Sequence, residues 1–377
     1  MIIKEVKARK ILDSREKPTI EVSVNGCSAS APSGKSTGKY ETPPYHKSLE
    51  WNINFINKTP LNLEIKAFED LTLLEGFIKS KARLKDIKQF GANALVALEI
   101  ATLRALAKEK KKELWQVINP KAKKLPTPVG NAIGGGLHSS APHHPIFQEF
   151  LLIPNEKSFA KNVKIMEKTY QEIGDSIGAS SINDEGAWET PLSNEQVLDA
   201  LAKFKKIRIG LDVAASSFFS KGKYKYHDRS LSKEAQIFYM QELIEKYHPL
   251  YIEDTLEETD FSGFAKIPPS NKTLIVGDDL TVSHLSRLKT ALTKKSINAI
   301  IIKPNQNGSI LEIAKLFDFC KKHRIKSVIS HRSGETIDNW LADLAFAFQA
   351  DFIKCGIATE FRGFKLKRLI EIENRVK

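Results

Sequence analysis

Two adjacent carboxylates end an apolar stretch of this chain, and together they could bind a cation. Residues 273–279 read Thr-Leu-Ile-Val-Gly-Asp-Asp, so the apolar run stops at Gly277 and is followed by Asp278 and Asp279. Such a run is typical of a buried parallel strand with acidic side chains at its carboxyl end. Adjacent carboxylates repel each other unless a cation or a nearby base neutralises them. Taken alone, the stretch is explained more simply by a strand and an aspartate at a helix N-terminus.

The same pattern recurs along the second half of the chain. Five other apolar runs end at Asp212, at Glu253-Asp254, at Lys303, at His331-Arg332 and at Lys354. With Asp278 included, successive run ends lie 23 to 41 residues apart, which leaves room for one helix and its loops each time. The parallel strands of a (β/α) barrel direct their carboxyl ends at one face, where catalytic groups lie. We therefore expect these carboxylates, two lysines and a histidine to converge in one pocket.

Two other carboxyl groups could donate a proton. Glu149 lies within the apolar run 147–153, where an unpaired carboxylate would have a raised pKa. A structural ion pair is the simpler alternative for it. Glu185 lies in the acidic turn 182–188 and is the candidate acid of that turn.

A segment with three glycines and three histidines precedes Glu149. Its residues 131–144 predict a flexible loop that could reach a ligand. The irregular spacing of His138, His143 and His144 fits no regular zinc site. We expect His138 to contact a substrate and the other two histidines to lie on the loop surface.

Length and composition indicate a soluble globular protein. The 377 residues are enough for two domains with a good core, and 41% hydrophobic with 27% charged residues is ordinary for such proteins. Three scattered cysteines cannot form a disulfide framework or a thiolate metal site, which favours the reducing cytoplasm. The start of the chain has no signal-peptide core, and no stretch approaches the ~18 apolar residues of a membrane span, so we expect no membrane association.

The chain is basic, with 58 Lys and Arg against 45 Asp and Glu and a net charge of +13. Such a charge attracts anions, either phosphorylated small molecules or nucleic acid. Much of the excess lies in lysine runs such as 108–112 and 121–124, for which a solvated helix face and a basic linker are the simpler explanations. Because no nucleic-acid-binding motif is present, nucleic acid is a possible partner but not the favoured one.

The first part of the chain predicts a small α+β domain. Residues 19–24 alternate polar and apolar side chains before an Asn-Gly turn, and residues 92–107 are rich in Ala and Leu at helical spacing. Helices are plausible at 62–80 and 83–88 in the uninformative stretch between them. A basic, proline-containing linker then divides the chain into domains 1–126 and 127–377, and the second has the ~250 residues of a (β/α) barrel.

The loop at residues 31–38 carries Gly-Lys-Ser-Thr and invites comparison with a phosphate-binding P-loop. The glycine required five positions before Gly34 is absent, because Ala29 stands there. Pro43 and Pro44 also exclude the helix that should follow. A glycine-flanked loop that offers a lysine and the hydroxyl of Ser36 remains, and such loops often act as lids. An ordinary surface connection is the simpler interpretation of this loop alone.

Together these segments closely resemble one family, the enolases. The resemblance runs in the family's order over nearly the whole chain, and it is carried by the segments ARKILDSREKPTIEVSV, APSGKSTG, FGANALVALEIA, NAIGGGLH, FQEFLLIP, INDEGAW, GLDVAASSFF, YIEDTLEETD, LIVGDDLTVS, IIIKPNQNGS and ISHRSGETIDNWLADLAFA. It implies an α/β fold, with an enolase-type (β/α)8-like barrel and a small N-terminal α+β capping domain. It also implies that the first turns of the barrel depart from strict βα repetition.

The resemblance implies a role for each candidate residue in the reversible, magnesium-dependent dehydration of 2-phosphoglycerate to phosphoenolpyruvate. The implied magnesium ligands are Asp212, Glu253 and Asp278. A second magnesium ion would involve Ser36 and the substrate. The implied catalytic residues are Lys303 as the base, Glu185 with Glu149 as the acid, and His331. The implied substrate-binding residues are His138, Glu149, Arg332, Ser333, Lys354 and Ser36.

The chemistry of this reaction calls for the same residue types. Removing a proton beside a carboxylate adds negative charge to an anion, which hard divalent cations on oxygen ligands and lysines can stabilise. The base must be neutral at working pH, and a dication with Lys354 nearby is expected to lower the pKa of Lys303. Hydroxide leaves poorly, so Glu185 is expected to stay protonated until it donates.

The chain departs from the family pattern in several places. It is shorter between Glu41 and Gly91, and Asn183 and Ala187 stand where glycines are expected around Glu185. The family implies a homodimer or higher homo-oligomer, although the shortened first domain weakens that expectation. Two alternative hypotheses stay open: an enolase-superfamily enzyme that acts on another acid, and a non-catalytic paralogue that binds RNA or another polyanion.

Overall fold

The chain begins with a three-stranded antiparallel sheet. In this computed structural model, which describes residues 1–35, 38–139, 141–267 and 273–377, the order along the sheet follows the sequence. The strands are β1 (Val6–Leu12), β2 (Pro18–Val24) and β3 (Cys27–Ser30). Val22 and Val24 of β2 are fully buried, and the alternation predicted for residues 19–24 places them on the core face.

In the described part of the N-terminal domain, four helices accompany this sheet. They are α1 (Leu49–Lys58), α2 (Leu71–Lys81), α3 (Ala92–Glu109) and α4 (Leu114–Ile118), with short 3₁₀ turns at Phe68–Asp70 and Ile87–Phe90. The prediction of a helix at 62–80 was wrong in its start, and α1 was missed. The sequence of α1 is rich in Asn, Ile and aromatic residues, which have modest helix propensity, and Ser48 caps its first turn by accepting a hydrogen bond from the Trp51 N–H.

Helix α3 is the centre of the N-terminal domain and is buried on almost every side. Leu95 and Leu98 have no exposed surface, and each such burial contributes about 1.5–3 kcal/mol. Gly91 precedes the helix with φ of 101°, and a Cβ at that position would lie 2.3 Å from the Cα of Tyr45. Only glycine therefore allows the chain to enter α3 beside that backbone.

The second part of the chain forms a closed eight-stranded barrel and a small accessory sheet. The strands, in chain order, are β4 (Thr127–Gly134), β5 (Glu149–Pro154), β6 (Ile207–Asp212), β7 (Phe219–Ser220), β8 (Lys223–Lys225), β9 (Ser230–Leu231), β10 (Tyr251–Glu253), β11 (Leu274–Gly277), β12 (Ala299–Ile302), β13 (Lys326–Ser330) and β14 (Phe352–Lys354). Strands β7 to β9 form the accessory sheet, and the other eight close the barrel.

One barrel strand runs against the others. β5 is antiparallel to both β4 and β6, whereas every other pairing around the barrel is parallel. The first turns therefore depart from βα repetition, as the family resemblance implied. Because β5 is reversed, its first residue, Glu149, lies opposite Asp212 at the last residue of β6. A residue that opens β5 thus reaches the same end of the barrel as residues that close the parallel strands.

Helices surround the barrel. They are α5 (Phe159–Ser176), α6 (Asn194–Leu201), α7 (Lys233–Tyr247), α8 (Phe261–Phe264), α9 (Leu285–Thr293), α10 (Pro304–Asn307), α11 (Ile310–His323), α12 (Trp340–Ala347) and α13 (Glu360–Val376). All four residues of β12 and the two apolar residues of β13, Val328 and Ile329, are fully buried between the barrel interior and these helices, which explains the unbroken hydrophobic sequence of β12. Within the described ranges, none of the helices is long and apolar enough to cross a membrane.

The flexible loop predicted at residues 131–144 was wrong in its first part. Residues 131–134 belong to β4 and are buried, and Gly136–His138 forms a 3₁₀ turn. The glycines allow close approach here, because a Cβ on Gly134 would lie 2.2 Å from the Nδ2 atom of Asn183. Small residues at this point therefore permit tight packing within the barrel end.

Candidate active site

A cavity of about 420 Å³ lies at the carboxyl end of the parallel barrel strands. Most of the residues predicted from the strand ends line it. The predicted site residues among its lining are His138, Glu149, Glu185, Asp212, Asp278, Lys303, His331, Arg332, Ser333 and Lys354. Glu253 contacts Lys354 at the floor, and Ser36 lies outside the described residues.

Lys354 holds three carboxylates together at the bottom of the cavity. Its Nζ lies 2.9 Å from carboxylate oxygens of Glu149, Asp212 and Glu253. β6 and β10 pair in register so that Asp212 and Glu253 are neighbours, and β14 brings Lys354 from across the barrel. All four side chains are at most 5% exposed, so solvent screens these charges little.

The crowding of acids changes the ionisation of this group. Burial, together with the charge of Asp212, raises the pKa of Glu253 well above its usual range. Burial would lower the pKa of Lys354, but the surrounding carboxylates raise it well above normal. The lysine is therefore a fixed cation that three carboxyl groups share, and the repulsion among these groups favours a proton on Glu253.

Lys303 and Asp278 form a second ion pair beside this group. The Nζ of Lys303 donates a hydrogen bond to Asp278, and the side-chain amide of Gln306 donates to the same carboxylate at 3.2 Å. Burial lowers the pKa of Lys303, yet the negative charges around it, first Asp278 and then Glu253, raise it above its usual value. The expectation of a lowered pKa at Lys303 referred to a lysine beside a bound dication, and it stays a prediction.

Two further aspartates extend the acidic group. Carboxylate oxygens of Asp254, Asp278 and Asp279 lie within 4.8 Å of one another. Asp254 accepts hydrogen bonds from the N–H groups of Asp278 and Asp279 at 3.0 and 2.7 Å, so it fixes the end of β11. Burial beside Asp278 raises the pKa of Asp279 to about 7. The sequence showed both residues next to predicted ligands but did not reveal this clustering.

The acidic group is suited to a hard divalent cation. Glu253 keeps one buried carboxylate oxygen, Oε1, that makes no hydrogen bond among the described residues, and the pKa of Glu253 is raised by burial and by the nearby charges of Asp212 and Asp278. Oxygen ligands with surplus negative charge are the donor set that magnesium prefers. The predicted ligands Asp212, Glu253 and Asp278 could therefore hold a magnesium ion at this end of the barrel.

His138, Glu149 and Glu185 meet on another wall of the cavity. The Nδ1 atom of His138 lies 3.7 Å from Glu149 and 3.9 Å from Glu185, measured to the Oε1 atoms. Burial raises the pKa of Glu149 to about 7 despite the attraction of Lys354. Burial would also raise the pKa of Glu185, but His138 and Arg362 lower it below the usual range.

The lowered pKa does not by itself favour a proton on Glu185, so its role as the acid stays a prediction. Of the two facing carboxyl groups, Glu149 is the one with a raised pKa, although it is not unpaired: it forms the ion pair with Lys354 that the sequence analysis gave as the simpler alternative. The physical reason is the surrounding charge: Glu185 faces basic side chains, whereas Glu149 also faces the carboxylates of Glu185 and Asp212.

Asn183 shapes the turn that carries Glu185. Its Oδ1 accepts hydrogen bonds from the N–H groups of Glu185 and Ala187 at 3.0 and 2.9 Å. Gly186, which follows Glu185, has φ of 80°, and a Cβ at that position would lie 2.5 Å from the Cγ2 atom of Thr359. Asn183, which stands where the family pattern has a glycine, thus stabilises this turn through its side chain.

His331 lies beside Lys354 at the end of β13 and is 5% exposed. Burial, with Arg362 nearby, lowers the pKa of His331 well below its ordinary value. The imidazole is therefore neutral at physiological pH and can accept or donate a hydrogen bond through either ring nitrogen.

Arg332 and Ser333 line the cavity near the N-terminal domain. The Nη2 atom of Arg332 lies 3.1 and 2.9 Å from the two carboxylate oxygens of Glu41, and its Nη1 donates to Asn305 at 3.3 Å. The hydroxyl of Ser333 accepts a hydrogen bond from the Lys35 N–H at 2.7 Å. Sequence reasoning missed Glu41, because nothing in its neighbourhood marks it as a partner of an arginine 291 residues away.

Known proteins resemble this chain over its whole length. The family model for the enolase N-terminal domain matches residues 3–118, and that for the enolase C-terminal TIM barrel domain matches residues 122–377. A protein named Enolase from Archaeoglobus fulgidus is 36% identical over 99% of this chain and 97% of its own length. Proteins of the same name from Natronomonas pharaonis and Thermoplasma acidophilum are 34% and 33% identical, over 99% and 98% of both chains respectively.

Proposed function

Because this chain belongs to the enolase family, we propose that it catalyses the reversible, magnesium-dependent dehydration of 2-phosphoglycerate to phosphoenolpyruvate. One observation carries the proposal. A single cavity holds a lysine on one strand, a buried pair of carboxyl groups on another wall, and an arginine and a serine at its rim. These are a base, an acid and an anion-binding pair, which the elimination of water from a phosphorylated hydroxy acid requires.

Lys303 is the proposed base. It would remove the proton beside the substrate carboxylate, and Pro304 after it ends the strand so that the lysine stands at the cavity rim. A divalent cation held by Asp212, Glu253 and Asp278 would weaken the ion pair between Asp278 and Lys303. It would also stabilise negative charge on the substrate carboxylate. The second magnesium site, with Ser36 and the substrate, is part of the same proposal.

Glu185 and Glu149 are the proposed acid pair at the departing hydroxyl. The raised pKa of Glu149 keeps a proton beside Glu185, and His138 at 3.7 and 3.9 Å can exchange it with either carboxyl group. His331, neutral and buried, would hydrogen-bond the substrate without adding charge.

Arg332 and Ser333 are the proposed phosphate ligands, and Lys354 would bind the carboxylate end. An arginine suits a phosphate because its planar donors match two oxygens at once. This pair also favours a phosphorylated substrate over the alternative of another acid. The domain division at 126/127, the cytoplasmic location and a homo-oligomeric state stay predictions, as does the weaker hypothesis of nucleic acid binding.

The test is the absorbance of phosphoenolpyruvate formed from 2-phosphoglycerate by the purified protein, first with magnesium and then with a chelator. We expect turnover that the chelator abolishes and that Lys303→Ala reduces by about 10²–10⁴-fold while the protein stays folded. A folded, magnesium-loaded protein without turnover would contradict the proposal. Near-normal activity of Lys303→Ala would instead exclude Lys303 as the base, and turnover of an unphosphorylated acid would favour the other substrate class.

A further inference from the structure

Three of the cations that line the cavity, Lys303, Arg332 and Lys354, obtain their carboxylate partners in different ways. Lys354 is paired with acids on other barrel strands, and Lys303 with Asp278, which directly follows β11. Arg332 is paired with Glu41, which belongs to the N-terminal domain. The Arg332 and Glu41 side chains are only 4% and 7% exposed, so the pair is buried where the two domains meet.

The contact uses a defined part of the arginine. Nη2 of Arg332 donates hydrogen bonds to both carboxylate oxygens of Glu41, and Nη1 donates one to the side-chain oxygen of Asn305. A guanidinium group has five N–H donors, so the Nε hydrogen and the second Nη1 hydrogen stay free of these contacts. The carboxylate thus fixes the plane of the arginine while it leaves donors for a ligand in the cavity.

Glu41 is itself held by its surroundings. Its Oε1 accepts hydrogen bonds from the Gly38 N–H at 3.0 Å and from the Gln306 side-chain amide at 3.3 Å. Gln306 also donates to Asp278, which pairs with Lys303. One short chain of contacts therefore joins Arg332 through Glu41 and Gln306 to the acid beside the proposed base.

The N-terminal domain also contacts the backbone around Arg332. Ser33 and Gly334 exchange two backbone hydrogen bonds of 2.7 and 2.9 Å, and the Lys35 N–H donates to the Ser333 hydroxyl. Within the barrel, the Arg332 N–H donates to Glu335 at 2.9 Å. The backbone is thus fixed by both domains, but the direction of the guanidinium group depends on Glu41 and Asn305.

We propose that Glu41 is a positioning residue for phosphate recognition, which acts through Arg332 by holding its guanidinium group in the orientation that binds the substrate phosphate. This inference rests on the proposed function for its substrate, although the Glu41–Arg332 coupling can be measured without turnover. It assigns the N-terminal domain a charged residue in substrate recognition. A carboxylate beside a phosphate also repels it, so positioning and repulsion predict opposite effects when Glu41 is removed.

The experiment compares Glu41→Ala and the nearly isosteric Glu41→Gln with the wild-type protein. We expect KM for 2-phosphoglycerate to rise about tenfold in Glu41→Ala, and less in Glu41→Gln, with kcat changed less than about threefold. Binding of inorganic phosphate, measured by calorimetry, should weaken by a similar factor. If Glu41→Ala does not fold, Glu41→Gln decides, because it keeps the side-chain volume and one acceptor oxygen.

Two controls separate positioning from general damage. Asp338→Ala removes another contact between the domains, in which Arg104 Nη1 donates to Asp338 at 3.0 Å, and it should leave KM and phosphate affinity unchanged. In an Arg332→Gln background, Glu41→Ala should have less than about a twofold further effect, since residues that act as one unit are not additive.

Tighter phosphate binding in the Glu41 variants would overturn the proposal, because the carboxylate would then only oppose the ligand. So would a loss of kcat at unchanged KM, an equal KM effect of Asp338→Ala, or full additivity with Arg332→Gln. If the wild-type protein turns over no 2-phosphoglycerate, the proposed function fails, and the phosphate titration alone decides the role of Glu41. Unchanged phosphate affinity in both Glu41 variants would also contradict that role.

Discussion

Single residues in this pocket differ from ordinary surface charges because they are desolvated. Lys354 contacts three carboxylates at 2.9 Å with 5% of its side chain exposed. On the surface, by contrast, the Lys315–Glu312 pair has a similar distance of 2.7 Å but a lysine side chain that is 65% exposed. Water screens the second pair and not the first, so equal distances do not mean equal energies.

We predict that Lys354→Met lowers the free energy of unfolding by about 3–5 kcal/mol in a chelator-containing buffer, because it leaves buried carboxylates without their cation. Lys315→Ala, the surface control, should cost about 0–1 kcal/mol. Denaturant titration of both variants measures the difference. Similar small losses in the two variants would mean that Lys354 is not the charge that stabilises this group.

At the scale of elements, short loops at the barrel end orient the chemical groups. The turn that carries Glu185 contains no regular helix or strand around the acid, and the side chain of Asn183 supplies two of its hydrogen bonds. A side chain that accepts two backbone N–H groups replaces the backbone contacts a regular element would make. Because one of these two hydrogen bonds is made to the backbone of Glu185 itself, the loss of the Asn183 side chain should change the position of the acid.

We predict that Asn183→Ala lowers kcat by about 10- to 100-fold, because Glu185 loses its fixed position. Asn57→Ala is the matched control. Its side chain exchanges hydrogen bonds with the Ala8 backbone at 2.7 and 2.9 Å in the N-terminal domain, away from the cavity. The control should lose stability without losing kcat. Equal kcat losses in the two variants would contradict a specific role of the Asn183 turn.

The whole molecule is held together across the domain interface by more than apolar packing. Glu99 of α3 accepts a hydrogen bond from the Ile310 N–H at 2.7 Å, and Glu75 of α2 accepts one from the Ser309 hydroxyl at 2.5 Å. Both carboxyl groups therefore face the N-terminus of α11, a barrel helix, where the helix dipole favours acceptors and negative charge. Burial, with Glu75 adjacent, raises the pKa of Glu99 well above its usual range.

This raised pKa predicts a loss of stability with rising pH. The unfolded chain releases the Glu99 proton near pH 4.3, whereas the folded protein keeps it to higher pH, so this contribution is complete below about pH 4.3 and declines above it. Glu99→Gln has no proton to lose. Its stability relative to wild type should therefore increase by on the order of 1–3 kcal/mol between pH 4 and pH 7.

Thermal or denaturant unfolding across this pH range measures the effect. Glu69→Gln, an exposed substitution in the same domain, is the control and should show a flat difference from wild type. A Glu99→Gln difference that is equally flat would mean that Glu99 has an ordinary pKa in the folded protein.

Much of the fold and of the site could be predicted from the sequence because both depend on local patterns. An apolar run that ends in a charged residue predicts both a parallel strand and the site residue at its carboxyl end. The site residues Asp212, Glu253, Asp278, Lys303, His331 and Lys354 could therefore be predicted from the sequence. The resemblance to enolases also implied that the first turns of the barrel depart from βα repetition, but the reversed direction of the strand that carries Glu149 came only from the structure.

Only the tertiary structure decided how these charges pair. Lys303 contacts Asp278, which is 25 residues away in sequence, and Arg332 contacts Glu41, which is 291 residues away. The pKa of a buried group depends on every charge within a few ångströms, and sequence spacing does not contain those distances. For that reason the residue types of the pocket were predictable, whereas the carboxyl group that keeps its proton and the partner that orients the arginine were not.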